Sequence, residues 1–260
     1  MPVDGRLRIN EHCKGDGLNA DAFIHLPDLQ DRVTHPEKSL LRLTPEMFAM
    51  WEQRARSAGW PVGWRLPDEA IEASRLAVLG DHKAGEDLWI YCYGSLMWDP
   101  GFHFAEVRLA DAEGYRRRFT LKINLGRGSP DHPALMLSLE PGSGCCRGLA
   151  FRIEADVVHA ESAILWRREM LRGGYAPAMV PMTTPQGPIT ALAFASNPAH
   201  PSYVGELPLA ETAAIIARGK GVLGTNREYV EQLAGQLQAL GIEDRYVEVL
   251  HAQIGAGEVV

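Results

Sequence analysis

The chain lacks any run of about 18 apolar residues, so no membrane-spanning helix is expected from it. Its start, MPVDGRLRINEHCKGDG, carries charges where a secretory leader needs an apolar stretch. A cytoplasmic location is the resulting expectation. Cysteine is scarce: four in 260 residues, at Cys13, Cys92, Cys145 and Cys146. They form no C-x-x-C pair and no disulfide framework, as expected of reduced thiols in a reducing compartment. On a strand, the adjacent Cys145 and Cys146 would point to opposite faces. The nine histidines are scattered and show no H-E-x-x-H pattern, so no metal site is expected. Basic excess is also missing. A formal net charge of -7 argues against nucleic acid or an anionic membrane as a partner. Ser95 has no G-x-S-x-G elbow and no adjacent histidine, which excludes ordinary serine-hydrolase chemistry.

What is present is enough for a sizeable core, as one large domain or as a domain with an extension. Residues 1–40 are polar and aperiodic, and read as loop or partly disordered chain. A helix is expected to start after Thr44, with Pro45 in its first position and apolar Met47, Phe48 and Trp51 following. Gly59-Trp60-Pro61 should stop it. A second helix is expected over 68–79, stopped by Gly80, and then a polar linker over 81–87. From Leu88 the character changes. Strand-like runs recur at 88–93, 119–123, 134–139, 147–153 and 189–194, with Gly126, Gly128, Pro130, Pro141, Gly142 and Gly144 between them. Helical patterns cover 155–172, 208–218 and 227–240. Strands first, with helices inserted and following, indicate an α+β class rather than a regular βαβ array. The expected division is an N-terminal extension over 1–87 and a domain over 88–260.

Two places stand out chemically. At Tyr93-Gly94-Ser95-Leu96 an apolar, aromatic run stops in a tight turn. Gly94 permits unusual backbone dihedrals, and such a turn can aim successive N–H groups at an anion or oxyanion. In the helix over 155–172, Val157, Ile164 and Leu171 form the core line, with Val158 and Leu165 beside it. Glu169 falls at the edge of that stripe, just before Gly173-Gly174-Tyr175, where it can line a cleft. Taken alone, Glu169 would simply pair with Arg168 or Arg172. Glu161 and Arg168 share a helix line and are expected to pair. Arg116-Arg117-Arg118 reads as a strand with two exposed arginines and one covering. Gly126-Arg127-Gly128 lacks the features of a phosphate loop.

Five segments carry a family resemblance. They are Tyr93-Gly-Ser-Leu-Met-Trp-Asp-Pro-Gly-Phe102, Gly114-Tyr-Arg-Arg-Arg-Phe119, Cys146-Arg-Gly-Leu-Ala-Phe-Arg-Ile153, Trp166-Arg-Arg-Glu-Met-Leu-Arg-Gly-Gly-Tyr175 and Gly224-Thr-Asn-Arg-Glu-Tyr229. In type and order they resemble the ChaC-type, glutathione-specific γ-glutamylcyclotransferases, over roughly residues 88–240. Where family members often carry Ser-Gly-Pro before the late Asn, this chain has Val222-Leu-Gly-Thr225, which leaves the geometry around Asn226 open.

The resemblance implies a small, mostly antiparallel β-barrel flanked by helices. It also implies a reaction that needs no cofactor: the γ-glutamyl amine attacks the γ-glutamyl carbonyl and releases 5-oxoproline and, from glutathione, Cys-Gly. Glu169 is then the general acid/base. Tyr93, Gly94, Ser95 and Leu96 hold the α-carboxylate or the developing oxyanion, and Tyr175 and Tyr229 are further substrate contacts. Two alternatives stay open from sequence: a cyclotransferase acting on other γ-glutamyl compounds, and a non-catalytic cation transport regulator.

Overall fold

The computed structural model describes residues 20–57 and 59–256. Cys13 and the rest of residues 1–19 of the polar start lie outside the described residues. Five strands close into a barrel: β1 (Leu88–Cys92), β2 (Glu106–Ile123), β3 (Ala134–Ile153), β4 (Tyr175–Thr184) and β5 (Gly187–Ser196). In space they run β1-β3-β2-β4-β5, with antiparallel neighbours throughout. A parallel pairing of β1 with β5, at Trp89↔Ala191 and Ile90↔Leu192, completes the ring. The expected class and barrel are therefore what the chain adopts. Helices α1 (Pro45–Ser57) and α2 (Asp68–Leu79) precede the barrel, and α3 (Val158–Glu169) is inserted after β3. Helices α4 (Leu209–Arg218), α5 (Asn226–Ala239) and α6 (Arg245–Ala256) follow it. No helix among the described residues is long and apolar enough to cross a membrane.

The runs expected at 134–139 and 147–153 are one continuous strand. Pro141, Gly142 and Gly144 do not break it, because β2 supplies a partner along nearly its whole length. The register shifts between Glu113 and Tyr115, where Gly114 at φ 78 takes up a bulge against the exposed 141–145 stretch. Strand β4 carries Pro177 and Pro181 and does not read as a strand. It pairs fully with β5 but meets β2 only at Asp111↔Thr183, so its missing N–H donors face a nearly open edge. Helix α6 also escapes the sequence reading, although Val247, Leu250 and Ile254 bury one face and Asp244 Oδ1 accepts from Val247 N–H at 3.2 Å.

The extension is built into the same core. Phe23, Leu29, Ile71 and Leu79 belong to one buried cluster with Phe151 of β3, Phe102 of the β1–β2 connection and Trp166 of α3. Residues 20–38 form three short 3-10 turns rather than open loop. Helix α1 starts as expected, with Thr44 Oγ1 accepting from Met47 N–H at 3.3 Å. Trp166, fully buried on α3, packs edge-on against Phe194 and donates to Ser74 Oγ at 3.0 Å. Leu66 N–H donates to Leu171 O at 2.9 Å, which stitches the chain before α2 to the end of α3. The anticipated Glu161–Arg168 pair does not form. Glu161 is instead gripped by Arg42, at 2.6 and 2.9 Å, because that guanidinium arrives from the extension. Cys145 is exposed and Cys146 buried, as alternation along β3 requires.

Candidate active site

Strand β1 delivers the chain to Tyr93, both of whose polar ends are occupied. Its carbonyl accepts from Arg117 Nε at 2.7 Å, and its hydroxyl donates to Phe194 O at 2.6 Å. Arg117 is the covering member of the arginine run: it is buried and pairs with Asp244 at 3.1 Å. Arg116 and Arg118 both meet Glu206. Gly94 has φ -136, so a left-handed backbone is not why glycine stands there. The reason is space. A Cβ at Gly94 would sit 2.8 Å from the Tyr229 hydroxyl and 3.3 Å from Leu137 Cδ2. Ser95, Leu96 and Met97 then make a single 3-10 turn. Its closing N–H groups, from Met97, Trp98 and Asp99, are taken by the carbonyls of Gly94 and Ser95. The Leu96 side chain is buried.

The remaining groups converge on this turn. Ser95 N–H donates to the Tyr229 hydroxyl, and Ser95 Oγ accepts from Arg168 Nη2 at 3.1 Å. Arg168 also donates to Asp99 O at 2.6 Å, and its Nε lies 3.0 Å from Glu169 Oε1. Of the two partners expected for Glu169, the structure therefore selects Arg168. Arg172 instead donates to Asn124 Oδ1 at 2.7 Å. Tyr229 sits in the first turn of α5, which is fixed by a capping box between Thr225 and Glu228. Asn226 locks that turn to β3, exchanging bonds with both backbone groups of Leu135 at 2.8 and 2.9 Å. The Val222-Leu-Gly-Thr225 departure is thus compatible with a well-defined Asn226. Tyr175 opens β4 and donates to Leu137 O at 3.0 Å.

Glu169 is the electrostatic centre. Its side chain is 13% exposed, and burial raises its pKa against the opposing pull of Arg168. The same burial, with the Glu169 charge adding to it, pushes the Tyr229 hydroxyl up to about 12 and Tyr93 and Tyr175 well above their usual value. Glu169, Ser95, Tyr175 and Tyr229 share a cavity of about 260 Å³. The site residues expected from sequence are therefore brought together. Tyr93 and Leu96 contribute mainly through their backbone and their packing.

The segments that form this site fall inside a match to the model of the ChaC-like protein family, spanning residues 88–256. The chain belongs to that family. It is 35% identical to the glutathione-specific γ-glutamylcyclotransferase of Escherichia coli strain K12, over 68% of this chain and 76% of the relative. The glutathione-specific γ-glutamylcyclotransferase 1 of Mus musculus is also 35% identical, over 68% of this chain and 80% of the relative. Among solved structures, a γ-glutamyl cyclotransferase specific to glutathione from yeast superposes with a TM-score of 0.61 at 20% identity. That superposition covers 65% of this chain and 96% of the yeast protein, and it shows a shared fold.

Two parts of the ChaC-like site were not read from the sequence. Arg168 is one of the two partners expected for Glu169, but its second role, joining that carboxylate to the Ser95 turn, does not show in the helix pattern, which sets Arg168 in line with Glu161. The cavity also has a wall from outside the family match, including Leu43, Phe48, Trp60 and Trp64. No periodicity marks those residues as lining anything.

Proposed function

We propose that the chain is a γ-glutamylcyclotransferase that cleaves glutathione to 5-oxoproline and Cys-Gly. The observation that carries this reading is a buried carboxylate, Glu169, tied through Arg168 to the Ser95 turn inside one cavity. The curated relatives carry the same activity in their names.

The chemistry follows from these groups. The Gly94–Leu96 turn holds and polarises the γ-glutamyl unit through the backbone N–H groups that Tyr229 does not take, with Arg168 fixing the turn. Folding the glutamyl chain brings its α-amine onto its own γ-carbonyl, and oriented intramolecular attack supplies about 7–11 kcal/mol of barrier reduction. Glu169 accepts a proton from the α-ammonium. The new N–C bond closes the five-membered lactam, the amide C–N bond breaks, and the departing nitrogen leaves as an ammonium, taking back the proton held by Glu169 together with the second proton that the attacking nitrogen sheds on becoming the lactam N–H. A carboxyl whose pKa is raised by burial suits both steps, since it is a stronger base than a solvated glutamate and can hand the proton on to the departing nitrogen. Tyr229 and Tyr175 border the glutamyl unit, and Ser95 acts as a hydrogen-bonding residue rather than a nucleophile. The free thiols of Cys92, Cys145 and Cys146 suit a reducing compartment, and we place the activity in the cytoplasm.

The test is to incubate purified protein with glutathione and quantify 5-oxoproline and Cys-Gly together. Equimolar release supports the reading. Turnover of another γ-glutamyl compound in the absence of glutathione turnover would overturn the substrate and keep the reaction.

A further inference from the structure

The cavity holding Glu169 extends past the groups that the cyclisation uses. Its outer wall comes from the extension: Leu41, Leu43, Phe48, Trp51, Trp60 and Trp64. None of these lies within the 88–256 family match. The wall is held in place. Trp60 and Trp64 meet edge-on with centroids 5.0 Å apart, and the Arg65 guanidinium stacks over Phe48 at 4.4 Å. The Leu66 N–H bond to Leu171 O anchors it two residues beyond Glu169.

The basic groups of the same cavity are set elsewhere. Arg172 is turned toward Asn124, and Arg127 toward Thr225 O, Gln232 and the Glu228 carboxylate, which pairs with it at 3.3 Å and leaves Arg172 as the guanidinium here without a carboxylate partner among the described residues. The cavity therefore has a cationic side and an aromatic side beyond the scissile amide. Glutathione offers two different things there. Its glycyl carboxylate cannot leave water for a wall of indoles without a large penalty, so it belongs on the Arg172 side. The cysteinyl side chain is the one group that can face the aromatic wall. A bare CH2–SH covers little of six large apolar side chains.

We propose that the extension makes this protein a cyclotransferase for glutathione S-conjugates, thioethers whose apolar alkyl or aryl substituent packs against Trp60 and Trp64. The proposal rests on the cyclotransferase reading above. The bonds made and broken are unchanged: the α-amine closes on the γ-carbonyl, the γ-amide breaks, and the S-substituted Cys-Gly leaves with the proton. The thioether bond is untouched.

The test measures 5-oxoproline release from glutathione, S-methylglutathione and S-benzylglutathione, in wild type and in Trp60→Ala, Trp64→Ala and Trp64→Phe. The expected result is a kcat/KM for S-benzylglutathione roughly tenfold above glutathione, carried mainly by KM, in line with filling an apolar pocket. The ratio of the two substrates should fall toward unity in either alanine variant and recover in Trp64→Phe. Glutathione turned over by wild type at an equal or higher kcat/KM than the benzyl conjugate overturns this proposal and leaves the cyclotransferase reading standing. A conjugate preference that persists in both alanine variants overturns the role of the wall. Product from neither substrate removes the cyclotransferase reading, and this proposal with it.

Discussion

Arg168 Nε lies 3.0 Å from Glu169 Oε1, its neighbour in sequence, while Nη2 of the same guanidinium donates to Ser95 Oγ at 3.1 Å. One side chain thus sets both the charge state of the carboxylate and the position of the turn. Arg168 is itself only 8% exposed, so neither contact is screened by bulk water.

That arrangement fixes a pH dependence. Glu169 must be ionised to take the ammonium proton, so kcat/KM rises as pH climbs through its pKa. Burial places that pKa above the usual carboxylate range, and Arg168 pulls it down. Arg168→Gln removes the pull, so the acid limb should move to higher pH as kcat falls. Arg168→Lys keeps a charge but not the forked geometry, so it should lower kcat with a smaller displacement of the limb. A pH–rate profile of the Gln variant that superimposes on wild type would remove Arg168 from this role.

Glu169→Gln should lower kcat for glutathione by about 100-fold or more, the usual loss when a general acid/base is removed. The stability consequence has a definite sign. A carboxyl whose folded pKa is raised stabilises the fold below its unfolded pKa and loses that contribution as pH rises through the folded value. The Tm of Glu169→Gln relative to wild type should therefore increase as pH rises across that window. Thermal melts at several pH values read this without any substrate.

Gly94 and Tyr229 are coupled by space. Gly94→Ala would push a methyl to 2.8 Å from the Tyr229 hydroxyl, which also accepts the Ser95 N–H bond. We expect Gly94→Ala to lose activity and about 1–3 kcal/mol of stability. Tyr229→Phe removes the crowding atom but leaves Ser95 N–H unpaired, at about 1–3 kcal/mol. In the double variant the two losses should be less than additive, because the methyl then occupies room the hydroxyl vacated. Strict additivity in a double-mutant cycle would contradict the close approach.

The turn and Glu169 were legible because each is a local pattern: an apolar run ended by Gly94, and a carboxylate at the edge of a helical stripe. What was not legible depends on segments distant in the chain. Helix periodicity put Glu161 and Arg168 on one line, yet Arg42 arrives from the extension and takes Glu161, freeing Arg168 for Ser95 and Glu169. Strand β4 offers no comparable run, because Pro177 and Pro181 interrupt it and a sequence does not show which strand will lie at a nearly open edge. Trp60 and Trp64 carry no periodic signal at all. They become a wall only once Leu66 is docked on Leu171.

The Arg42–Glu161 pair also tests whether the extension is peripheral. It is bidentate at 2.6 and 2.9 Å, with side chains only 11% and 6% exposed. Arg42 donates in addition to Gly101 O, and Glu161 accepts from His103 N–H, so the pair clamps the segment that follows the turn. Arg42→Ala leaves Glu161 charged and buried beside unsatisfied backbone, a loss of roughly 3–5 kcal/mol. At about 2–4 °C per kcal/mol for a chain of this size, Tm should fall by on the order of 10 °C. Arg42→Met with Glu161→Gln should recover part of this, because no uncompensated charge remains. Removing residues 1–80 goes further, since Phe23, Leu29, Ile71 and Leu79 leave the shared core and expose its apolar face. That truncated chain should aggregate, and soluble, active protein from it would show that the barrel closes its core and its site unaided.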